Sequence, residues 1–420
     1  MPVNAADHSL IERLAQHLRR PVPKIVRTNA RLHLLDWLGC VAGARSSEIA
    51  RIQSAMAGVG PVDRAAWLGN VLEMDDVHRT AILHPGPVAW PAALGIGGDA
   101  VDDGLENALD AAVRGYEAMI TIGAMFDGRH YAHWHNTATA GGFGAAAAAA
   151  SRLGADIGQT VAALGLAGSV AGGLWQMRHE PVMAKQWHLA HAVATGTSAA
   201  RYAMAGVTGP RYVLEGPQGL FAATCAAPGE IVLADTWRIG EVSFKPWGAC
   251  RHAHPAIDAA LLLKAEGGLS GPVTLATYRD ALVFCDRPTP RTVQEAKFSI
   301  QHAVAIVMER GIPRLQDFEP DAIAALADAR AAVSVIEAPD MTGAYPAHFG
   351  ARITSAGGEV TLIDTLGDPE RPLDRDGVIA KARELMAWGG IDAGAIDEAI
   401  GIALEGGRVS DITDLLDRWL

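Results

Sequence analysis

Between Thr137 and Leu153 the chain reads TATAGGFGAAAAAASRL, a run in which Phe143 is the one bulky ring. A segment this poor in large side chains cannot bury much surface by itself. It pays off only as a helix whose neighbours come close enough for backbones to touch. Asn136 or Thr137 is a good N-cap, so the pattern predicts a helix starting there. Three histidines, His130, His133 and His135, stand just ahead of it. His135 thereby falls beside a helix N-terminus, where free N–H groups and the helix dipole favour an anion. The plain alternative is a surface loop with incidental histidines.

Two more Ala/Gly-rich stretches follow, Ile157 to Met177 and Lys185 to Met204, and together the three imply a dense helical bundle. The first of them is apolar enough to suggest a membrane span. However, it contains Gln159 and Ser169 and its hydrophobicity rests on alanine, so a buried helix is expected. Half of the 420 residues are hydrophobic, enough for a large core and for two or three domains. The net charge of −12 argues against nucleic acid as a partner. The four cysteines are scattered with no CxxC pair, and the first twenty residues lack an apolar signal core. A soluble, cytoplasmic protein with reduced thiols, and no membrane partner, is the expectation.

Helical apolar spacing covers His8 to Arg19 and Ile25 to Val41, with Pro21 and Pro23 between them. Ser47 caps a third helix reaching Ala57, and Ala66, Trp67 and Leu68 read as an extended patch. Pro85 and Pro87 mark a rigid turn, and Gly104 to Phe126 is a long helical pattern. After Ala234 the pattern changes. Val273 to Tyr278 and Ala281 to Phe284 look like strands, with a helix from Glu295 to Glu309. Ala351 to Thr354 and Glu359 to Ile363 flank Gly357–Gly358 as a hairpin. From Arg375 amphipathic helices return. The reading is a mainly α protein: a large α-helical domain over 1–234 and 376–420, with an inserted smaller α+β domain over 235–375.

Lysine is scarce, which makes its placement informative. Lys185 lies in PVMAKQWHLAHA, with His188 and His191 on the same helix face. Lys245 lies in SFKPWGACRHAHPAIDAA, near Arg251, His252 and His254. Both read as carboxylate anchors, against the plain alternative that each snorkels to solvent or pairs with a core acid. EMDDVH brings Glu73, Asp75 and Asp76 together shortly before His84. Three such acids usually form a solvated turn, yet here apolar sequence flanks them and a buried acid in proton transfer is a rival reading. His302, on the buried face of an apolar helix, is by itself more often a satisfied core histidine than a catalyst. The HxH of His133 and His135 raises a metal-dependent hydrolase. Such sites need strands ending at the ligands, and this region reads as helix, so no metal is assigned.

Taken in order, several segments carry a resemblance. They are LHLLDWLGCVAGA, EMDDVHRTAILHPGPVAWPAAL, HWHNTATAGGFGAAAAAASRLGAD, the Lys185 segment, GPRYVLEGPQGLF, KPWGACRHAHPAIDAA and EAKFSIQHAVA. Nearly the whole chain resembles the MmgE/PrpD family, which includes 2-methylcitrate dehydratase, cis-aconitate decarboxylase and iminodisuccinate epimerase. The resemblance implies a large helical domain plus a smaller α+β domain, a homodimer and no cofactor. It implies catalytic roles for His135 and His84, carboxylate binding by Lys185 and Lys245, and a site role for His254. Two motifs depart from the family pattern. Members often read DFDDT where this chain has EMDDV, and His302 stands where cis-aconitate decarboxylases carry tyrosine.

The family's reactions all build negative charge at a carbon next to a carboxylate, which ammonium and guanidinium groups must neutralise. The expected activity is therefore a cofactor-independent lyase of the hydratase/dehydratase type acting on a small di- or tricarboxylate. His135, His84, Glu73, Asp75, Asp76 and His302 form the candidate acid–base set. Lys185, Lys245, Arg251 and His254 form the candidate substrate-binding set. An isomerase, epimerase or decarboxylase of the same family is the near alternative, and a non-catalytic carboxylate-binding homologue the further one.

Overall fold

The computed structural model describes residues 8–97, 103–180 and 182–420. Residues 1–7, which form part of the stretch read as lacking a signal core, lie outside them. Among the described residues the chain is mainly helical with one small four-stranded sheet, and it divides into two compact units. The first contains the described residues up to Val71, then Asp75–Val242 and Arg375–Leu420. The second contains Leu72–Met74 and Ser243–Asp374.

The first unit is built around the helix Asn136–Arg152. It packs against Leu105–Gly123, Gly86–Leu94, Ile157–Gly168 and Ala184–Met204. The alanines from Ala145 to Ala150 are almost wholly buried. At Gly196 a methyl group would lie 2.5 Å from both Ala146 N and Gly142 O, and at Gly144 a methyl would lie 2.8 Å from Met119 Cβ. Each glycine inside a helix costs about 0.5–1 kcal/mol. Backbone-to-backbone approach offsets that cost by multiplying dispersion contacts. The helix starts one residue earlier than an Asn136 cap would give and two earlier than a Thr137 cap, because His135 itself is the N-cap residue.

A second seam joins Lys24–Gly43 to Arg375–Trp388, where Gly39 meets the Ala382 backbone. Along this seam Lys381 Nζ lies 2.5 Å from Asp36 Oδ1, both buried. Burial pushes the Asp36 carboxyl up to about 6, with the Lys381 ammonium opposing the rise.

Several local readings need correction. Ala66, Trp67 and Leu68 are helical, closing Pro61–Leu68, because Pro61 at the first turn opens a helix that buries Ala65, Ala66 and Leu68. Ser47 does cap its helix, but that helix ends at Ser54. Pro85 and Pro87 open the helix Gly86–Leu94, where a missing N–H carries no penalty. The apolar stretch from Ile157 stops being α-helical at Gly168. Among the described residues no helix is long and apolar enough to cross a membrane.

The second unit holds the four-stranded sheet. Strand β1 (Val273–Thr277) pairs in parallel with β2 (Val333–Glu337) and antiparallel with β3 (Ala351–Ser355). The hairpin of β3 and β4 (Gly358–Leu362) turns at the expected glycines. The helix His254–Ala265 packs on β3 and β4. Ala281–Phe284 is not a strand but part of the helix Arg279–Cys285. Its buried residues Ala281, Phe284 and Cys285 have helical, not alternating, spacing. The helix expected over Glu295–Glu309 is two, Val293–Lys297 and Ile300–Arg310. They part at Ser299, whose Oγ accepts from His302 N at 3.0 Å and donates to Arg287 O.

Candidate active site

In the first unit, residues 75–86 form a closed loop. Asp76, buried, fastens it: Oδ1 accepts from Gly86 N at 2.8 Å, while Oδ2 accepts from Tyr116 Oη at 2.6 Å and lies 2.8 Å from His33 Nδ1. Tyr116 Oη in turn accepts from Trp90 Nε1 at 3.1 Å. Burial and the neighbouring Asp76 charge push the Tyr116 hydroxyl well above its usual range, so it stays a proton donor. Inside the loop, His78 and Leu83 exchange backbone hydrogen bonds, and Ala81 N donates to His78 Nδ1 at 3.1 Å. With that lone pair taken, His78 Nε2 carries the proton and donates to Glu241, 3.0 Å away. Ile82 adopts a left-handed backbone, φ 51°, a costly conformation for a β-branched residue.

This clasp presents two of the expected residues to each other. His84 Nδ1 lies 2.8 Å from Asp75 Oδ2. Asn70 Nδ2 donates to the other Asp75 oxygen at 2.6 Å. The start of the Ala/Gly helix holds the same loop from outside: His84 N donates to Thr137 Oγ1 at 3.1 Å and Asn136 Nδ2 to Ala81 O at 2.9 Å.

His135, at the head of that helix, has its Nδ1 3.2 Å from Nδ1 of His188 and its ring tilted against Trp175 at 4.6 Å. Burial holds the His135 imidazole well below its usual range, and the nearby His188, Lys185 and His84 add to the effect against Asp75. Burial lowers His188 as well. Both rings are therefore neutral near pH 7, and one Nδ1–H donates to the other's lone pair. The accepting ring then carries Nε2–H and the donating ring a bare Nε2. The pair thus offers one proton donor and one proton acceptor, whichever ring holds which.

The second unit brings Glu73 and Lys245 together. Lys245 is fully buried, with Nζ 3.7 Å from Glu73 Oε2. Glu73 has a left-handed backbone, φ 57°. Arg251 pairs with buried Asp368, which also accepts from Ser243 Oγ at 2.6 Å. Arg251 Nη1 lies 3.4 Å from His254 Nδ1, and His254 Nε2 is 3.1 Å from Ala249 O. His302 is similarly committed, with Nε2 2.8 Å from Asp317 O and Nδ1 3.2 Å from Arg330 Nη1. A carbonyl can only accept and a guanidinium can only donate, which fixes the Nε2–H tautomer of both histidines. Burial, with Arg330 adding to it, lowers His302 to about 4.

Of the histidine run before the Ala/Gly helix, only His135 joins the cluster. His130 is buried with Nδ1 2.9 Å from Thr224 Oγ1 and its ring stacked on Phe126, and His133 is exposed. His191 is exposed and stacks on Trp187. Among the described residues no group of three or more His, Cys, Asp or Glu side chains is arranged to hold a metal ion. Sequence reasoning gave no role to His33, Tyr116, Asn70 or Trp175. His188 alone carried a signal, its helical spacing from Lys185.

The MmgE/PrpD N-terminal domain family model matches residues 64–230, and the MmgE/PrpD C-terminal domain family model matches residues 247–400. Together they cover more than half of the chain. No curated protein matches it.

Proposed function

The chain belongs to the MmgE/PrpD family, known for dehydratase and lyase-type activity, and we propose that it is a cofactor-independent dehydratase of a small di- or tricarboxylate. The observation that carries this reading is the 2.8 Å approach of Asp75 to His84. A carboxylate this close to an imidazole can offset the positive charge the ring gains on accepting a proton, as a general base requires. In the proposed reaction His84 takes the proton from the carbon next to a substrate carboxylate. The C–O bond at the adjacent carbon breaks, and the Nε2–H of the His135–His188 pair protonates the departing hydroxide. Water and an alkene are the products.

Lys185, close enough to bias the His135 imidazole, is proposed to bind the carboxylate and offset the dianionic charge that develops. Lys245 is retained as a carboxylate-binding lysine, with Glu73 tempering its charge. Arg251 and His254 have their hydrogen bonds directed to Asp368 and Ala249 and are proposed as its supports. Asp76 and His302, each held by several partners, are proposed to shape the protein and not to transfer protons.

Proton NMR in heavy water with citrate, methylcitrate, cis-aconitate and iminodisuccinate tests this. The expected result is loss of the C–H signal next to a carboxylate with new vinyl signals. Exchange without vinyl signals would move the assignment to an epimerase, and inertness towards the whole panel would remove the lyase reading.

A further inference from the structure

The segment Leu72–Met74 belongs to the second unit although its chain neighbours belong to the first. At its centre Glu73 holds the left-handed backbone that a non-glycine residue adopts only when its surroundings impose it. One buried side chain holds the carbonyl just before it. Lys297, buried at 4% exposure, ends the helix Val293–Lys297 and donates from Nζ to Leu72 O at 3.0 Å. Its own carbonyl accepts from Cys250 N at 2.8 Å. A single residue therefore grips the carbonyl just before Glu73 and the turn that follows Lys245. The sequence motif EAKFSIQHAVA contains it, and the proposed chemistry leaves it without a role.

The geometry points to Lys297 as a positioning residue that holds Glu73 against Lys245. Burying an ammonium is costly unless its donors are engaged, and a backbone carbonyl accepting from a charged donor makes a strong hydrogen bond of fixed direction. The effect on Glu73 acts through the backbone: fixing the Leu72 carbonyl fixes the peptide plane from which the Glu73 main chain departs. The Glu73 carboxylate is then delivered to Lys245 without any contact to Lys297 being required.

This inference rests on the reading of Glu73 and Lys245 as site residues, so its test uses no turnover. The full chain is labelled with carboxyl-¹³C glutamate, and Glu73→Gln identifies the Glu73 signal. In Lys297→Met the Glu73 signal is expected to leave its position, and in Lys297→Arg, which restores a charged donor, to return. The melting profile is recorded alongside. If Lys297→Met fails to fold, Lys297→Gln, whose shorter side chain stays polar but withdraws the donor from Leu72 O, is read in the same way. A Glu73 signal that stays in place in a folded, uncharged variant would overturn the assignment, whatever the carboxylate panel shows.

Discussion

Asp75 Oδ2 and His84 Nδ1 stand 2.8 Å apart because Asp76, the very next residue, ties the loop shut on Gly86, His33 and Tyr116. Adjacent aspartates thus divide the work, one facing the imidazole and the other fastening the frame.

Asp75→Asn keeps an oxygen for Asn70 to donate to while removing the charge beside His84. Deuterium exchange into the substrate identified in the carboxylate panel is expected to fall, by up to about ten-thousandfold, the loss known for neutralising the carboxylate behind a catalytic histidine. A variant exchanging at the parental rate would take Asp75 out of the proton-transfer chain.

Gly86→Ala would place a methyl 2.6 Å from Asp76 Oδ1 and 2.8 Å from Tyr116 Oη. Overpacking of this kind costs about 1–3 kcal/mol. A urea titration is expected to show the lowered midpoint, with proton exchange reduced as the clasp loosens.

His302 and His130 each fall to about 4, mainly through burial, while the unfolded chain holds them near the ordinary 6.5. Between these limits the unfolded state binds more protons, so stability is complete above pH 6.5 and drains away as pH falls towards 4. Each histidine is expected to account for about 3 kcal/mol of that loss. His302→Gln should flatten the dependence of the urea midpoint on pH over this window. An equally steep profile in the variant would contradict the assignment.

Lys245→Met leaves Glu73 buried without its ammonium partner and is expected to cost about 3–5 kcal/mol, as is Glu73→Gln for the converse reason. The double variant should be less destabilised than the sum, with a coupling of about 1–3 kcal/mol measurable in a double-mutant cycle. Strict additivity would show that the pair does not interact.

The residues differ in how far the sequence disclosed them. The Ala/Gly run placed His135 at a helix head because small residues in series admit few structures. The spacing of Lys185 and His188 followed from helical period alone, and Gly357–Gly358 marked its hairpin for local steric reasons. Asp76 was visible as an acid but not as a clasp, since its partners His33 and Tyr116 come from distant helices and only packing unites them. Strand β2 escaped notice because its five residues follow an alanine-rich helix, and its parallel pairing with β1 is non-local. Ala281–Phe284 misled because four apolar residues fit either period until their burial is known.

Where Gly196 meets Ala146 there is no gap even a methyl could occupy, so the helices bearing His135 and His188 cannot slip along each other by a fraction of a turn. The 3.2 Å between their Nδ1 atoms is then a manufactured tolerance, set by backbone against backbone far along the two rods. Which imidazole donates can change only if both rings exchange tautomers, but the span of the shared hydrogen bond stays the same.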